Sequence, residues 1–349
     1  MDVRRDGDRA RASGRPVTLK EVAELAGVHV STASRVLRQD EPPFGWSDSA
    51  LRVRETARRL GYQPNLVAAS LRTRRTWTVG LVMPRLTDGV IATIFQGVEE
   101  AAREAGYSVL MSSPPDDPEA QRRAIELLTS RSVDGLLLSS LHRGAETFIE
   151  SLSLGTLPVL VLNRHAGLDR PSITCDDVHG GRLAAEHLIG LGHRNLGVVG
   201  GPAHATTAHD RVEGFLAAAR AAGLELPADR VARSGFGVQS GIDDAHRLLE
   251  RADRPSAVFA VDDTAAIGVL GVARDLGLRV PEDLSVVGYN DIPMVAQLPV
   301  PLTTVRSPAR DMGAAALRAV LTLIGGGAVE STRLPVELVV RASTAPPPG

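Results

Sequence analysis

From Thr76 onward the chain alternates short, continuously apolar runs with amphipathic stretches, and this alternation restricts the fold more than any other feature. The runs are Thr78 to Met83, Ser108 to Met111, Gly135 to Leu138, Pro158 to Leu162, Leu196 to Val199, Ala257 to Ala260 and Leu284 to Gly288. Between them, Ala92 to Ala105, Glu119 to Ser130, Gly180 to Leu191 and Arg211 to Ala222 carry helical periodicity. A strand apolar on both faces must be covered on both, and helices placed between successive strands do this, so the pattern predicts parallel sheets. The roughly 270 residues involved exceed one such sheet, and two doubly wound subdomains are expected. A composition of 43% hydrophobic and 23% charged residues agrees with a globular α/β protein and excludes a disordered or fibrous one.

The segment before this body has a different character. Residues 1–75 hold 15 of the 39 basic and 9 of the 41 acidic residues, a balance of +6 that leaves −8 on the remainder. Such asymmetry suits a small domain that meets a polyanion beside a larger one with another task; a solvated basic tail is the alternative that charge alone leaves open. Periodicity favours the first. Thr18 can cap a helix with Glu21 three places on, and Leu19, Val22, Ala23 and Ala26 fall on one face. Gly27 supplies a break, and a second short helix from Val28 to Leu37 can turn Val28, Ala33, Val36 and Leu37 inward. Val30, Ser31, Thr32, Ser34 and Arg35 then remain free, which is a helix-turn-helix arrangement. A third helix, about Ser49 to Leu60, would direct Leu51, Val53, Ala57 and Leu60 inward and Arg52, Arg54, Arg58 and Arg59 mostly outward. Short side chains on the second helix allow entry into a major groove, where Arg35 can offer a bidentate fork to guanine.

Val17-Thr18-Leu19-Lys20-Glu21-Val22-Ala23, Gly27-Val28, Ser31-Thr32-Ala33-Ser34-Arg35-Val36-Leu37 and Leu60-Gly61-Tyr62-Gln63-Pro64-Asn65 resemble the headpiece of the LacI family of bacterial repressors. The resemblance continues in the body, through Leu162-Asn163-Arg164, Gly190-Leu191-Gly192-His193-Arg194, Asp210 to Phe215, Val287 to Asp291 and Pro301 to Val305. It implies a basic tail (1–16), a three-helix headpiece (17–63), a hinge helix (64–75) and an effector-binding and dimerisation domain (76–345) of periplasmic-binding-protein type. Within the last, it implies one subdomain of about 76–175 and 305–329 and another of about 176–304 and 330–345, with crossings near Cys175, Thr303 and Glu330.

By the same resemblance the DNA contacts are Thr18, Leu19, His29, Val30, Ser31, Thr32, Ser34, Arg35 and Arg38, followed by Asn65, Ala68, Leu71 and Arg72 in the hinge. Val30 and Ser31 would select the operator bases, and Leu71 would be a minor-groove wedge of the kind that bends a duplex. The implied effector contacts are Asp88, Val90, Ser139, Asn163, Arg211, Phe236, Asp262 and Asn290, most of them at carboxyl ends of strands, where open parallel sheets bind ligands. Asn and Asp side chains with an aromatic wall suit a sugar. The chain departs from the family pattern with His29 for Ser, Arg38 for Asn, Ala69 for a frequent Arg, and a loop at 39–46 about two residues longer. In the body, Asp88-Gly89-Val90-Ile91 replaces a common Asn-Pro-Phe-Phe, and Asn290 replaces a frequent Asp.

No nucleophile elbow, paired-carboxylate signature, dinucleotide loop or phosphate-cradling loop is present in the sequence. The lone Cys175 is read as a core residue. No pair among His179, His187, His193, His204 and His209 has tight metal-ligand spacing, so neither an enzyme nor a metal or cofactor site is expected. The amino terminus lacks the apolar core of a secretory signal and no run of about 18 apolar residues occurs, which predicts a cytoplasmic, nucleoid-associated protein without membrane contact. The end at Ala345-Pro346-Pro347-Pro348-Gly349 shows no leucine heptads, so a homodimer is expected on double-stranded operator DNA. The reading is a repressor of carbohydrate utilisation gated by a sugar-like effector. Purine-type co-repression is its alternative, and a sugar-binding module without DNA function the rival from another class.

Overall fold

The computed structural model describes residues 17–37, 46–62, 75–165 and 170–348. The chain divides into two compact units, residues 1–76 and 77–349.

In the first unit, α1 (Leu19–Ala26), α2 (Val30–Val36) and α3 (Asp48–Leu60) enclose a small core of Val22, Ala23, Ala26, Ala33, Val36, Ala50, Val53 and Ala57. The ends are fixed locally. Thr18 and Glu21 form a reciprocal capping box, Gly27 terminates α1 at φ 67°, and Gly61 terminates α3 at φ 65°. One expectation fails: Leu51 is 50% exposed, and Ala50 takes the inward place. Positions 50, 53, 57 and 60 share one face at 3.6 residues per turn, whereas 51 lies a further 100° round.

The second unit holds two six-stranded sheets. The first is built from β1 (Thr78–Val82), β2 (Ser108–Ser112), β3 (Gly135–Leu138), β4 (Val159–Leu162), β5 (Ser172–Cys175) and β11 (Thr332–Leu334), in the spatial order β11-β5-β4-β3-β1-β2, all parallel. The second contains β6 (Leu196–Val199), β7 (Val231–Ala232), β8 (Ala257–Ala260), β9 (Ser285–Asn290), β10 (Thr303–Arg306) and β12 (Glu337–Val339), ordered β12-β10-β9-β8-β6-β7, with only the β10-β12 pair antiparallel. Strands β3, β4, β6, β8 and β9 are buried throughout, as their unbroken apolar runs require. The chain passes between the sheets after Cys175, between Arg306 and Ala309, and between Leu334 and Glu337. The last two passages lie beyond the expected Thr303 and Glu330, because the short strands β10 and β11 carry polar residues and give no apolar run to mark them.

Helices α4 (Gly89–Glu104), α5 (Pro118–Ser130), α6 (Glu146–Glu150), α7 (Asp177–Gly190), α8 (Thr206–Ala221), α9 (Val238–Leu249), α10 (Asp263–Asp275) and α11 (Ala309–Ile324) cover these sheets. Three pairs pack backbone against backbone through reciprocal glycines. A Cβ on Gly97 of α4 would fall on the Arg310 carbonyl of α11, and one on Gly313 would fall on the Ile94 carbonyl in return. Gly181 of α7 and Gly214 of α8 stand in the same relation to Arg211 and Val178, as do Gly241 of α9 and Gly268 of α10 to Ala265 and Val238. A Gly181→Ala chain is therefore expected to lose about 1–3 kcal/mol to overpacking, although alanine favours a helix by about 1 kcal/mol. Gly271→Ala, in the same type of element but with nothing within 4 Å of its Cβ, should be neutral or stabilising. Urea unfolding of both variants decides the matter, and equal stability of the two would contradict close helix approach.

Asp263 joins three elements. Its Oδ1 accepts from Thr304 Oγ1 at 2.6 Å and its Oδ2 from the Ile292 N–H at 2.8 Å, linking α10 to β10 and to the chain after β9. Burial pushes the Asp263 carboxyl up to about 7 despite these two bonds, with Asp262 and Asp291 adding to the rise. The folded state thus holds a proton that the unfolded chain releases near pH 4, so this contribution to stability is complete below about pH 4 and lost as pH rises to about 7. Asp263→Asn should flatten the fall in melting temperature between about pH 4 and pH 7; an unchanged slope would show that another group carries it.

Candidate functional site

The front of α2 is the first candidate surface. His29 is its N-cap: the Ser31 N–H donates to His29 Nδ1 at 3.3 Å, and the Ser31 hydroxyl pairs with the same nitrogen at 2.7 Å. A histidine in place of the usual serine therefore retains the capping function, while it engages Ser31 locally. His29, Val30, Ser31 and Arg35 are exposed, and Thr32 and Ser34 are half-buried. The Arg35 guanidinium makes no hydrogen bond to the described residues. Thr18 is occupied in its capping box, and Leu19 is half-buried against the core of the unit. Exposed Arg52, Arg58 and Arg59 make α3 basic, while Arg54 stacks on Trp46 at 4.4 Å. Arg38, Asn65, Ala68, Leu71 and Arg72, with the hinge and most of the loop at 39–46, lie outside the described residues.

The second candidate is an open cleft of about 380 Å³ between the carboxyl ends of the two sheets. Asp88, Val90, Asn163, Arg211, Phe236, Asp262 and Asn290 all line it, joined by Arg164, which shares the strand end with Asn163, and by Pro84, Arg85, Ile91 and Thr207, none of them among the expected contacts. The strand-end rule that singled out Asp88 applies equally to Arg85, three residues nearer to β1. Ser139 is not among the lining residues; it is fully buried, with an Oγ that finds no partner among the described residues. Asn163 and Asn290 have φ of 66° and 107°, where the chain leaves a strand through left-handed backbone that asparagine tolerates better than most residues.

Asp88 and Asp262 each cap a helix and thereby aim a carboxylate at the cleft. Asp88 Oδ1 accepts from the Val90 N–H at 3.1 Å, and Asp262 Oδ1 accepts from the Ala265 N–H at 2.9 Å and from Thr264 Oγ1. Burial, and then the nearby Asp262, raise the Asp88 carboxyl above its ordinary value. Asp262 Oδ2 is buried without a partner among the described residues, and so is Arg85 Nε. These two atoms define a buried acceptor and a buried donor. The Arg85 guanidinium stacks on Phe236 at 4.6 Å, so the ring expected to be a ligand wall already carries a cation from the opposite lobe.

Arg211 lies at the base of the cleft. Its Nε donates to Asp177 Oδ1 at 2.8 Å, its Nη1 to the Val261 carbonyl at 2.7 Å, and its guanidinium sits 3.7 Å from the centre of the Tyr289 ring. Burial opposes its charge, but Asp177 and Tyr289 hold it protonated well above its ordinary range. The remaining single-residue candidates have structural roles. Cys175 is buried, and burial pushes its thiol up to about 12, which leaves it inert as a nucleophile. His193 is fixed by Ser256 and the Ala345 carbonyl at 2.8 Å each, and His187 pairs with Thr344 at 2.9 Å.

Comparison with known proteins gives these surfaces a context. Residues 18–65 match the profile of the lacI family of bacterial regulatory proteins, and residues 185–344 match a periplasmic binding protein-like domain. The HTH-type transcriptional repressor PurR of Haemophilus influenzae is 31% identical over 93% of this chain and 98% of its own length. The ribose operon repressor of Escherichia coli K12 is 32% identical over 91% of this chain and 96% of its own. Among solved structures, a lac repressor dimer bound to operator and the anti-inducer ONPF superposes with a TM-score of 0.84 at 29% identity, covering 95% of this chain and all of that one. A complex of the transcriptional regulator CelR with cellobiose gives 0.71 at 33% identity, over 94% of this chain and all of that one. Matched along nearly its whole length by transcriptional repressors, and carrying both the headpiece and the cleft, the chain belongs to the LacI family of bacterial regulatory proteins.

Proposed function

We propose that the protein is a dimeric repressor that binds a palindromic operator through α2 and is gated by a small carbohydrate-like effector held in the cleft between its lobes. The observation that carries this reading is the exposed front of α2, with an exposed Arg35 guanidinium that makes no hydrogen bond to the described residues, on a capped, packed helix-turn-helix. A guanidinium so placed suits bidentate contact with guanine, and Val30 and Ser31 beside it supply short contacts to base edges. The hinge at 64–75, with Leu71, is assigned the minor-groove wedge, with Asn65, Ala68 and Arg72 as its further DNA contacts and Arg38 as a contact beyond the end of α2. Thr18, Leu19, His29, Thr32 and Ser34 complete the DNA-facing set. Most of these hold local structure too, so they serve chiefly to position the helix. Such a protein works in the cytoplasm, on the nucleoid.

The effector reading rests on Asp262 Oδ2 and Arg85 Nε, a buried acceptor and a buried donor without partners among the described residues, on two side chains that line the cleft with Asn163 and Asn290. A hydroxyl can donate to the first and accept from the second, which is polyol chemistry. Valine and isoleucine at 90 and 91 give this wall of the cleft an aliphatic surface in place of an aromatic one. A nucleobase offers donors and acceptors in the same way, and a purine-type co-repressor is the second reading because Phe236 and Arg85 present stacked planar faces.

Selection of bound duplexes from a random library by the purified chain, with and without panels of sugars and purines, tests both. Recovery of a palindrome that depends on one compound supports the switch; no enriched motif under any condition would overturn it. In that palindrome Arg35→Ala should cost about 1–3 kcal/mol of discrimination, measured as specific against random DNA. Equal loss on both would reassign Arg35 to a phosphate. Asp262→Asn keeps the helix cap but removes the charged acceptor, and should weaken effector binding by about 1.5–3 kcal/mol in calorimetry; unchanged affinity would move the ligand elsewhere.

A further inference from the structure

Away from the cleft lining, three side chains distant in sequence converge on one point. Asp116 follows β2, His142 follows β3, and His204 lies between β6 and α8. The first two therefore come from the lobe of the first sheet and the third from the lobe of the second. His142 Nε2 is 2.9 Å from Asp116 Oδ1 and His204 Nε2 is 3.0 Å from Asp116 Oδ2, so each imidazole addresses its own carboxylate oxygen. The two rings lie 4.1 Å apart, and all three ligand atoms fall within 4.8 Å of one another. The loops that carry them are tied together, since the Arg143 N–H donates to the His204 carbonyl at 2.7 Å.

We propose that Asp116, His142 and His204 form a binding site for zinc or a similar divalent transition metal that clasps the two lobes at the edge of the cleft. Two imidazoles and a carboxylate are the donor set of a three-ligand zinc centre, with the fourth position left to water. Ligand atoms about 2.0–2.2 Å from a tetrahedral metal stand roughly 3.3 Å apart, so the two His–Asp separations of 2.9 and 3.0 Å need to open by only a few tenths of an ångström as the imidazoles turn from separate carboxylate oxygens toward one ion. Arg164 contacts both Asp116 oxygens at 3.4 Å and is itself held by the Ser140 and Leu141 carbonyls at 3.1 and 3.3 Å. It orients the carboxylate from outside the site, as partners of metal-bound carboxylates do, and its fixed charge moderates the affinity. The imidazoles are the shorter contacts, and each can present a neutral nitrogen to the metal by shifting its proton to Nδ1. Because the ligands come from both lobes, the metal favours the arrangement in which the lobes are together and adds a control on closure separate from the organic effector.

The test is calorimetric titration of the chelator-treated full chain with zinc chloride, with cobalt(II) absorption as a second measure of coordination. One ion per chain is expected, with an intense visible cobalt band of tetrahedral type. His142→Gln and His204→Gln should each weaken zinc binding by about tenfold or more and lose the band. His209→Gln, close by but outside the cluster, and His246→Gln, from a surface His–Glu pair, should leave both unchanged. Circular dichroism of each variant checks that it is folded. Absence of binding to the parent chain at about 100 µM zinc, or full binding retained by folded His142→Gln and His204→Gln chains, would overturn the proposal.

Discussion

A buried guanidinium holds the second lobe together where its helices meet its sheet. Arg211 extends from α8, bonds Asp177 at the start of α7 and the Val261 carbonyl after β8, and lies on the ring of Tyr289 in β9. Removal of one partner from a buried pair of this sort leaves an uncompensated charge and commonly costs about 3–5 kcal/mol. The arrangement is possible only because α7 carries Gly180 and Gly181 one turn after its start. A Cβ at the first would meet the Tyr289 hydroxyl, and at the second the Arg211 carbonyl. Two side-chain-free positions thus let a helix approach closely enough for one cation to serve four elements, and they fix a guanidinium at the base of the cleft.

The same economy governs the cleft as a whole. Parallel strands end on one edge, so residues far apart in sequence arrive together without long loops. Helix capping then uses Asp88 and Asp262 twice, once to hold a helix terminus and once to set a carboxylate in the wall of the cleft. Arg85 on Phe236, His165 Nε2 at 2.8 Å from Asp210, and the Asp116 cluster all bridge the lobes, so their separation is set by polar contacts that a ligand can replace or reinforce. Coupling of about 1–3 kcal/mol between cleft and headpiece is sufficient for regulation.

How much of this the residues disclosed depended on whether the signal was local. Apolar runs marked β1, β2, β3, β4, β6, β8 and β9, since strands covered by helices leave few polar positions. Strands β5, β7, β10, β11 and β12 escaped because they are short, several carry threonine or arginine, and long-range pairing rather than pattern defines them. Capping chemistry made α1 legible, whereas Leu51 was misplaced because the small Ala50 concealed the true inward face of α3. In the cleft, Asp262, Asn163 and Asn290 could be found from strand ends and family resemblance. Arg85 stands at the same strand end as Asp88 and was open to the same rule, and Ser139 proved too deep to line the cleft. The Asp116, His142 and His204 cluster had no sequence signature, because spacings of 26 and 62 residues become proximity only when two sheets face each other.

The central claim is that cleft and headpiece share one equilibrium, and reciprocal titration tests it most directly. Effector affinity is measured by calorimetry on the free protein and on its operator complex, and operator affinity with and without saturating effector. Thermodynamic linkage requires the two ratios to agree, with about 5- to 150-fold change in each. An effector that binds the cleft with the same affinity whether or not operator is present would contradict the account.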